Sequence, residues 1–192
     1  MHNPSLYHFQ LLKRLLRYIK GTIHFGLPIC KGDLTLQSYA DADWAADSTD
    51  RKSVTGFCAF LGPNLISWHV KKQVTVAKSS TEVEYRALSS ATSDVIWLRR
   101  LAADFLIPQS TPTQLYCDNV SALALAHNPV FHAQTKHIEI DYHFISDHIK
   151  NRDIDVLHIS SVDQPADLLT KALSAPRFTT LRTKLTVQPL DS

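Results

Sequence analysis

Glycine is scarce in this chain, five in 192 residues, while 44% of the residues are apolar, a balance that excludes disorder and argues for a compact fold. Cysteine is scarcer still. Cys30, Cys58 and Cys117 are odd in number, far apart and without a Cys-x-x-Cys pair, which argues against a disulfide framework and for reduced thiols in an intracellular compartment, cytoplasmic or nuclear. No apolar run approaches the ~18 residues of a membrane span. Asn3-Pro4 stands where a secretory signal would need an apolar stretch, so neither a membrane nor export is expected. Ten histidines are present, but without paired cysteines or a His-Glu-x-x-His spacing they close no zinc site. A strong net charge is also missing. At +2, any attraction to nucleic acid must come from local clusters of Lys and Arg. No internal repeat or low-complexity tract interrupts the chain, and its length suits one domain with an appendage.

Hydrophobic periodicity divides the chain into elements. Asn3 as cap and Pro4 at the first helical position open a helix in which Leu11, Leu12, Leu15, Leu16 and Ile19 recur at helical spacing, with Lys13, Arg14, Arg17 and Lys20 on the other face. Residues 34–41, 54–61 and 65–70 read as a three-strand meander with Gly62-Pro63-Asn64 as a hairpin turn. Thr81 and Glu84 have capping-box spacing at the head of a long helix carrying Ala87, Leu88, Ala91, Val95, Leu98 and Leu101. A short strand over 114–117, a helix over 120–127 capped by Asn119, a helical stripe of Ile138, Tyr142, Ile145 and Ile149, a strand over 154–159 and a helix over 166–173 follow. Residues 188–192 read as a frayed tail. Trp44 and Trp68 are expected in the core rather than as stacking platforms.

Four acidic signatures fall on these elements in order: Tyr39-Ala40-Asp41-Ala42-Asp43-Trp44, Ser80-Thr81-Glu82-Val83-Glu84-Tyr85, Tyr116-Cys117-Asp118-Asn119, and Gln164-Pro165-Ala166-Asp167-Leu168-Leu169-Thr170-Lys171. Each sets a carboxylate at a strand end or in a first helical turn. Acids gathered at one point repel one another unless cations sit among them, so the pattern points to a divalent-metal site. Asp43 rivals Asp41 on strand parity, and Glu82 rivals Glu84, although Glu82 lies off the apolar face and suits a solvated first-turn acid. Taken alone, Asp118-Asn119 is a helix cap.

Together the signatures resemble the ribonuclease H domain of copia-type long-terminal-repeat retrotransposon Pol polyproteins. The resemblance rests also on Asp50-Arg51-Lys52-Ser53 with Thr55-Gly56-Phe57, Ile66-Ser67-Trp68 before Lys71-Lys72-Gln73, Arg86-Ala87-Leu88, Thr135-Lys136-His137-Ile138 and Asp141-x-His143-Phe144, and covers roughly residues 34 to 187. The segment from Lys13 to Thr22 is similar to the one joining the reverse transcriptase thumb to that domain, so residues 1–30 are expected to be a remnant of this connection, 31–187 the ribonuclease H-like domain and 188–192 a tail. With no palm or finger region before Met1, DNA synthesis is not expected.

The resemblance implies an α/β fold with a five-stranded mixed sheet flanked by helices. It implies an endonuclease cutting the RNA strand of RNA:DNA hybrids, with Asp41, Glu84, Asp118 and Asp167 as catalytic acids holding two Mg²⁺ ions, for which Mn²⁺ can substitute. Such ions take oxygen ligands, and a pair roughly 3.5 to 4 Å apart is suited to phosphodiester hydrolysis. The partners implied are the hybrid and the reverse transcriptase domain of the parent polyprotein. Lys71, Lys72, Lys78, Asn119 and Lys136 are candidate substrate contacts, with Arg86, Arg99 and Arg100 as possible additions to a phosphate track. Residues 160–165 hold no histidine to help the product leave, and His137 and His143 are open between packing and substrate contact. A silent transposon remnant that keeps the fold and binds nucleic acid or a protein, and a nuclease acting on DNA, are the competing readings.

Overall fold

A computed structural model of the chain describes residues 3–128 and 138–190. Within them run α1 (Leu6–Thr22), β1 (Phe25–Gly26), β2 (Leu36–Asp43), β3 (Val54–Leu61), β4 (Asn64–Lys72), α2 (Ser80–Asp104), β5 (Thr113–Cys117), α3 (Val120–His127), α4 (Glu139–Lys150), β6 (Ile154–His158), α5 (Asp167–Thr170), α6 (Ala175–Lys184) and β7 (Gln188–Pro189). The main sheet has the order β4-β3-β2-β5-β6, antiparallel across β4-β3-β2 and parallel across β2-β5-β6.

Alternation along β2 separates two apolar layers. Leu36, Ala40 and Ala42 join the main core with Val83, Leu88, Ala91 and Val95 of α2, while Tyr39 packs with Cys58, Phe60, Leu168, Leu169 and Leu185 in a smaller cluster. The parallel register pairs Tyr39 with Tyr116, whose rings stack at 5.0 Å. Asp41 and Asp118 each lie two residues beyond that pair. The carboxyl ends of the two strands therefore present these acids side by side.

The cap of α2 differs from expectation in a way that matters for the site. Ser79, not Thr81, is the N-cap and accepts the Glu82 N–H at 3.2 Å, while Glu82 takes the Lys78 N–H at 2.9 Å and pairs with Arg86 at 2.7 Å. Glu82 is thereby occupied with holding the helix end, and Glu84, two residues further on and on the buried face, takes no part in the cap.

Other expectations shift. The first helix is capped by Ser5, with His8 closing a capping box, rather than by Asn3, and none of its residues is buried, so the leucine stripe lies open to solvent. Residues 188–189, expected to fray, pair with Gly26 and Phe25 as β7 and β1. The helix expected over 166–173 is a single turn, because the backbone turns extended at Lys171 and a further helix, α6, starts at Ala175. Trp44 and Trp68 are not core residues: they are 48% and 55% exposed, Trp68 on edge strand β4 and Trp44 with its indole N–H on the Ala77 carbonyl. No helix among the described residues is long and apolar enough to cross a membrane.

Candidate metal centre

Four elements deliver the four acids: Asp41 from β2, Glu84 from the first turns of α2, Asp118 just past β5 and Asp167 opening α5. Ligand atoms of Asp41, Asp118 and Asp167 lie within 4.8 Å of one another, as do those of Glu84, Cys117 and Asp118. Asp118 belongs to both groups, so the two triads form one continuous centre. Asp43 is in neither, which separates it from Asp41 despite their shared strand parity.

Close approach of α5 to the sheet depends on two neighbours. The Gln164 side chain is fully buried, donates to the Ala40 carbonyl at 3.0 Å and accepts the Ala166 N–H at 3.3 Å, tying the turn before α5 to β2. Gly56, paired with Asp41 across β2 and β3, leaves the space that α5 fills: a Cβ there would lie 2.6 Å from Thr170 Cγ2 and 2.8 Å from Leu169 Cβ.

The acids are surrounded by the chain's own donors. Lys171 Nζ lies 3.0 Å from Asp41 Oδ1 and 2.6 Å from Asp167 Oδ1. The Thr170 hydroxyl donates to Asp41 Oδ2, Arg177 lies 3.1 Å from Asp167 Oδ2, and the Ser161 hydroxyl donates to Asp118 Oδ2 at 2.7 Å. The Cys117 thiol points at Glu84 Oε2 across 3.9 Å. Burial, with the nearby Glu84 carboxyl adding to it, pushes that thiol far up, so it stays protonated. Sequence reasoning gave no role to Ser161, Lys171 or Arg177, although Lys171 closes the fourth acidic signature. The i, i+4 spacing of Asp167 and Lys171 was the one local signal, but the reach of Lys171 back to Asp41 spans 130 positions.

Burial is the first cause of the electrostatic tension here. It raises the Glu84 pKa to about 9, with the charges of Asp41 and Asp118 adding to the effect, and it raises Asp41 against the lowering action of Thr170 and Lys171. Burial acts to lower the Lys171 pKa, and the hydrogen bonds and charges of Asp167 and Asp41 more than reverse it. The donor set fits a hard divalent cation: three carboxylates converge, Glu84 joins them through Asp118, and an ammonium already stands between two of them as a positive partner.

A pH effect follows. In chelator, folded Glu84 keeps its proton up to pH about 9 whereas the unfolded chain releases it near the ordinary 4.5. The contribution of Glu84 to stability is therefore greatest below 4.5 and falls as pH rises towards 9, by up to ~1.4 kcal/mol per pH unit. Thermal unfolding in EDTA across that range should show the decline in wild type and a flatter profile in Glu84→Gln; equal slopes would refute this account of Glu84.

The candidate substrate contacts are less convergent. Lys71 and Lys72 line a groove of about 890 Å³ with Gln73, Arg86, Trp97 and Phe144. Lys72 is engaged by Asp47 at 2.5 Å and Asp50 at 2.9 Å. Lys78 is exposed just before α2. Asn119 caps α3 through the Ala122 N–H at 2.9 Å, as its sequence position indicated. Arg86 is taken up by Glu82 and Thr75, and Arg99 by the carbonyls of Gln109 and Thr111, so neither is a free phosphate contact. Lys136 and His137 lie outside the described residues. His143 is exposed on α4, and the ring of its chain neighbour Tyr142 meets it edge-on at 5.5 Å.

The fold matches solved ribonuclease H structures. The N-terminal RNase H domain of rv2228c from Mycobacterium tuberculosis superimposes with a TM-score of 0.53 at 11% identity, over 79% of this chain and 98% of that one. LC11-RNase H1, isolated from compost, gives 0.54 at 15% identity over 71% and 93%. No family model matches the sequence. Among curated proteins, the retrovirus-related Pol polyprotein from transposon RE1 of Arabidopsis thaliana is 45% identical over 188 residues, 97% of this chain. That from transposon TNT 1-94 of Nicotiana tabacum is 38% identical over 178 residues, 93% of this chain. The chain aligns over nearly its whole length with retrovirus-related Pol polyproteins of transposons. It spans 13% of the length of each of these two relatives, so it corresponds to one Pol segment, and that segment has the ribonuclease H fold expected from the motifs.

Proposed function

We propose that this Pol segment is an endonuclease that hydrolyses the RNA strand of RNA:DNA hybrids, leaving 3′-hydroxyl and 5′-phosphate ends. The observation that carries the proposal is the convergence of Asp41, Glu84, Asp118 and Asp167 from four separate elements into two overlapping ligand groups. Two Mg²⁺ ions bound there would activate water and stabilise the leaving 3′ oxygen. Asp118, common to both groups, stands beside Asp41 at the ends of parallel strands, and Glu84 and Asp167 would complete the centre from opposite faces of the sheet. The Ala42 backbone hydrogen-bonds to Glu84 and Ser161 to Asp118, which fixes the orientation of both carboxylates. Discrimination of RNA from DNA would come from 2′-hydroxyls, and Lys71 and Lys78 are exposed cations that could meet phosphate. A solved LC11-RNase H1 complex contains RNA/DNA hybrid and shares the fold at a TM-score of 0.50 and 15% identity, which supports the substrate class.

Residues 1–30 are proposed to be the connection to a reverse transcriptase domain, 31–187 the nuclease. The open leucine face of α1 supports that reading, since an apolar stripe of this size calls for a covering partner.

The test is purified protein incubated with labelled hybrid, duplex DNA and duplex RNA, with Mg²⁺ or chelator. Metal-dependent cutting of the RNA strand of hybrid alone is the expected result. No cleavage by a folded sample would establish the silent-remnant reading instead, and cutting of DNA alone a DNA nuclease.

A further inference from the structure

All four carboxylate oxygens of Asp41 and Asp167 are engaged by the chain itself. Lys171 takes Oδ1 of both acids, Thr170 takes Asp41 Oδ2 and Arg177 takes Asp167 Oδ2. Asp118 and Glu84, the other half of the centre, make no ion pair among the described residues: Asp118 is met by the Ser161 hydroxyl, Glu84 by the Ala42 backbone and the Cys117 thiol. The positive charge of the centre is thus concentrated on one side, at Lys171 and Arg177, and of these two it is Lys171 that touches both acids.

We infer that Lys171 is the built-in counter-cation of this centre, holding Asp41 and Asp167 together until a divalent cation displaces it. The inference rests on reading the four acids as a metal centre. Its physical basis is competition for the same atoms. A divalent ion needs carboxylate oxygen at about 2.0–2.1 Å, and one oxygen of each acid, Oδ1 of Asp41 and Oδ1 of Asp167, is held by Lys171 at 3.0 and 2.6 Å. An ammonium and a dication cannot share that space, because their repulsion grows as the inverse of the distance in a poorly solvated site.

Two features make Lys171 displaceable. Its side chain is 34% exposed, whereas those of Asp41 and Asp167 are 0% and 8%, so it has a path to water that they lack. A lysine is also a point charge on a flexible stem, unlike a planar guanidinium that would lock both carboxylates bidentately. The position of Lys171 has two sources. Four residues separate it from Asp167, which puts both on one side of α5 and its exit, and the extended backbone at Lys171 turns the side chain back towards β2. The role is one of positioning: the lysine keeps two like charges in register for the ion that replaces it.

The experiment is calorimetric titration of Mg²⁺, and of Mn²⁺ followed by paramagnetic relaxation, into wild type, Lys171→Met and Lys171→Arg, with thermal unfolding of each in EDTA and in Mg²⁺. Lys171→Met should bind divalent ions more tightly by about tenfold, unfold at a lower temperature in EDTA, and gain more from added Mg²⁺ than wild type does. Lys171→Arg should keep its stability in EDTA and bind more weakly than wild type, which tests the inference even if the methionine variant does not fold. Unchanged or weaker binding by Lys171→Met, or wild-type affinity in Lys171→Arg, overturns the inference while leaving the metal centre standing. Absence of divalent binding by folded wild type and both variants overturns the metal centre and the inference together.

Discussion

Asp41→Asn and Asp118→Asn are each expected to abolish cleavage of RNA:DNA hybrid while the protein remains folded. Both substitutions keep side-chain size and remove the charge that holds a divalent ion. At Asp118 the surviving carbonyl oxygen can still accept the Ser161 hydroxyl, so the local structure keeps its partner. What is lost is charge stabilisation worth several kcal/mol in the transition state, a fall on the order of 10²–10⁴-fold in rate. Asp43→Asn is the matched control: it lies two residues on along the same strand but in neither ligand group, and should cut hybrid as wild type does. Initial rates on a labelled hybrid, beside circular dichroism, decide the matter. Cleavage by either Asp41→Asn or Asp118→Asn near the wild-type rate would remove the assignment of the site.

Gly56→Val is expected to disable the centre from a residue that carries no chemistry. Gly56 stands against α5 with no room for a Cβ, whose nearest neighbours would be Thr170 Cγ2 at 2.6 Å and Leu169 Cβ at 2.8 Å. These atoms belong to the turn that carries Asp167, Thr170 and Lys171, so relief of the clash moves all three away from Asp41. Overpacking of this kind costs about 1–3 kcal/mol, which in a domain of this size corresponds to roughly 2–4 °C of Tm per kcal/mol. The activity loss should exceed what the stability loss explains, because a displacement near 1 Å in a catalytic arrangement can cost ~10²-fold. Thermal unfolding and hybrid cleavage below the transition measure the two effects separately. A variant with lowered Tm but full activity would show that α5 tolerates the shift and that its close packing does not set the site.

Much of the element pattern was legible because it is local. The strand over 54–61 and the helix over 120–127 fall at their expected bounds, since alternation and the Asn119 cap operate within a few residues. The acids were legible too, each standing at a strand end or in a helical first turn. Errors arose where a distant contact overrode local preference. Trp44 and Trp68 are apolar by type, yet Trp68 lies on an edge strand whose outer part has no covering layer, and hydrophobicity alone does not say which strand will be an edge. The helix over 166–173 stops after one turn at Lys171, whose charge is drawn to a carboxylate 130 positions away.

By itself, then, the chain determined which residues are acids, which stretches are strand or helix, and which family's motifs they follow, because composition and periodicity act over single turns and strands. Only the tertiary structure decided that Asp41 and Asp118 stand abreast, that Asp43 is left out, and that Lys171 occupies the space between two carboxylates. Those outcomes depend on the parallel pairing of β2 with β5 and on the gap that Gly56 leaves for α5, both of which join residues far apart along the chain. Electrostatic repulsion among buried acids is tolerated where such packing brings a cation to meet it, as at Asp41 and Asp167, or where an acid keeps its proton, as at Glu84.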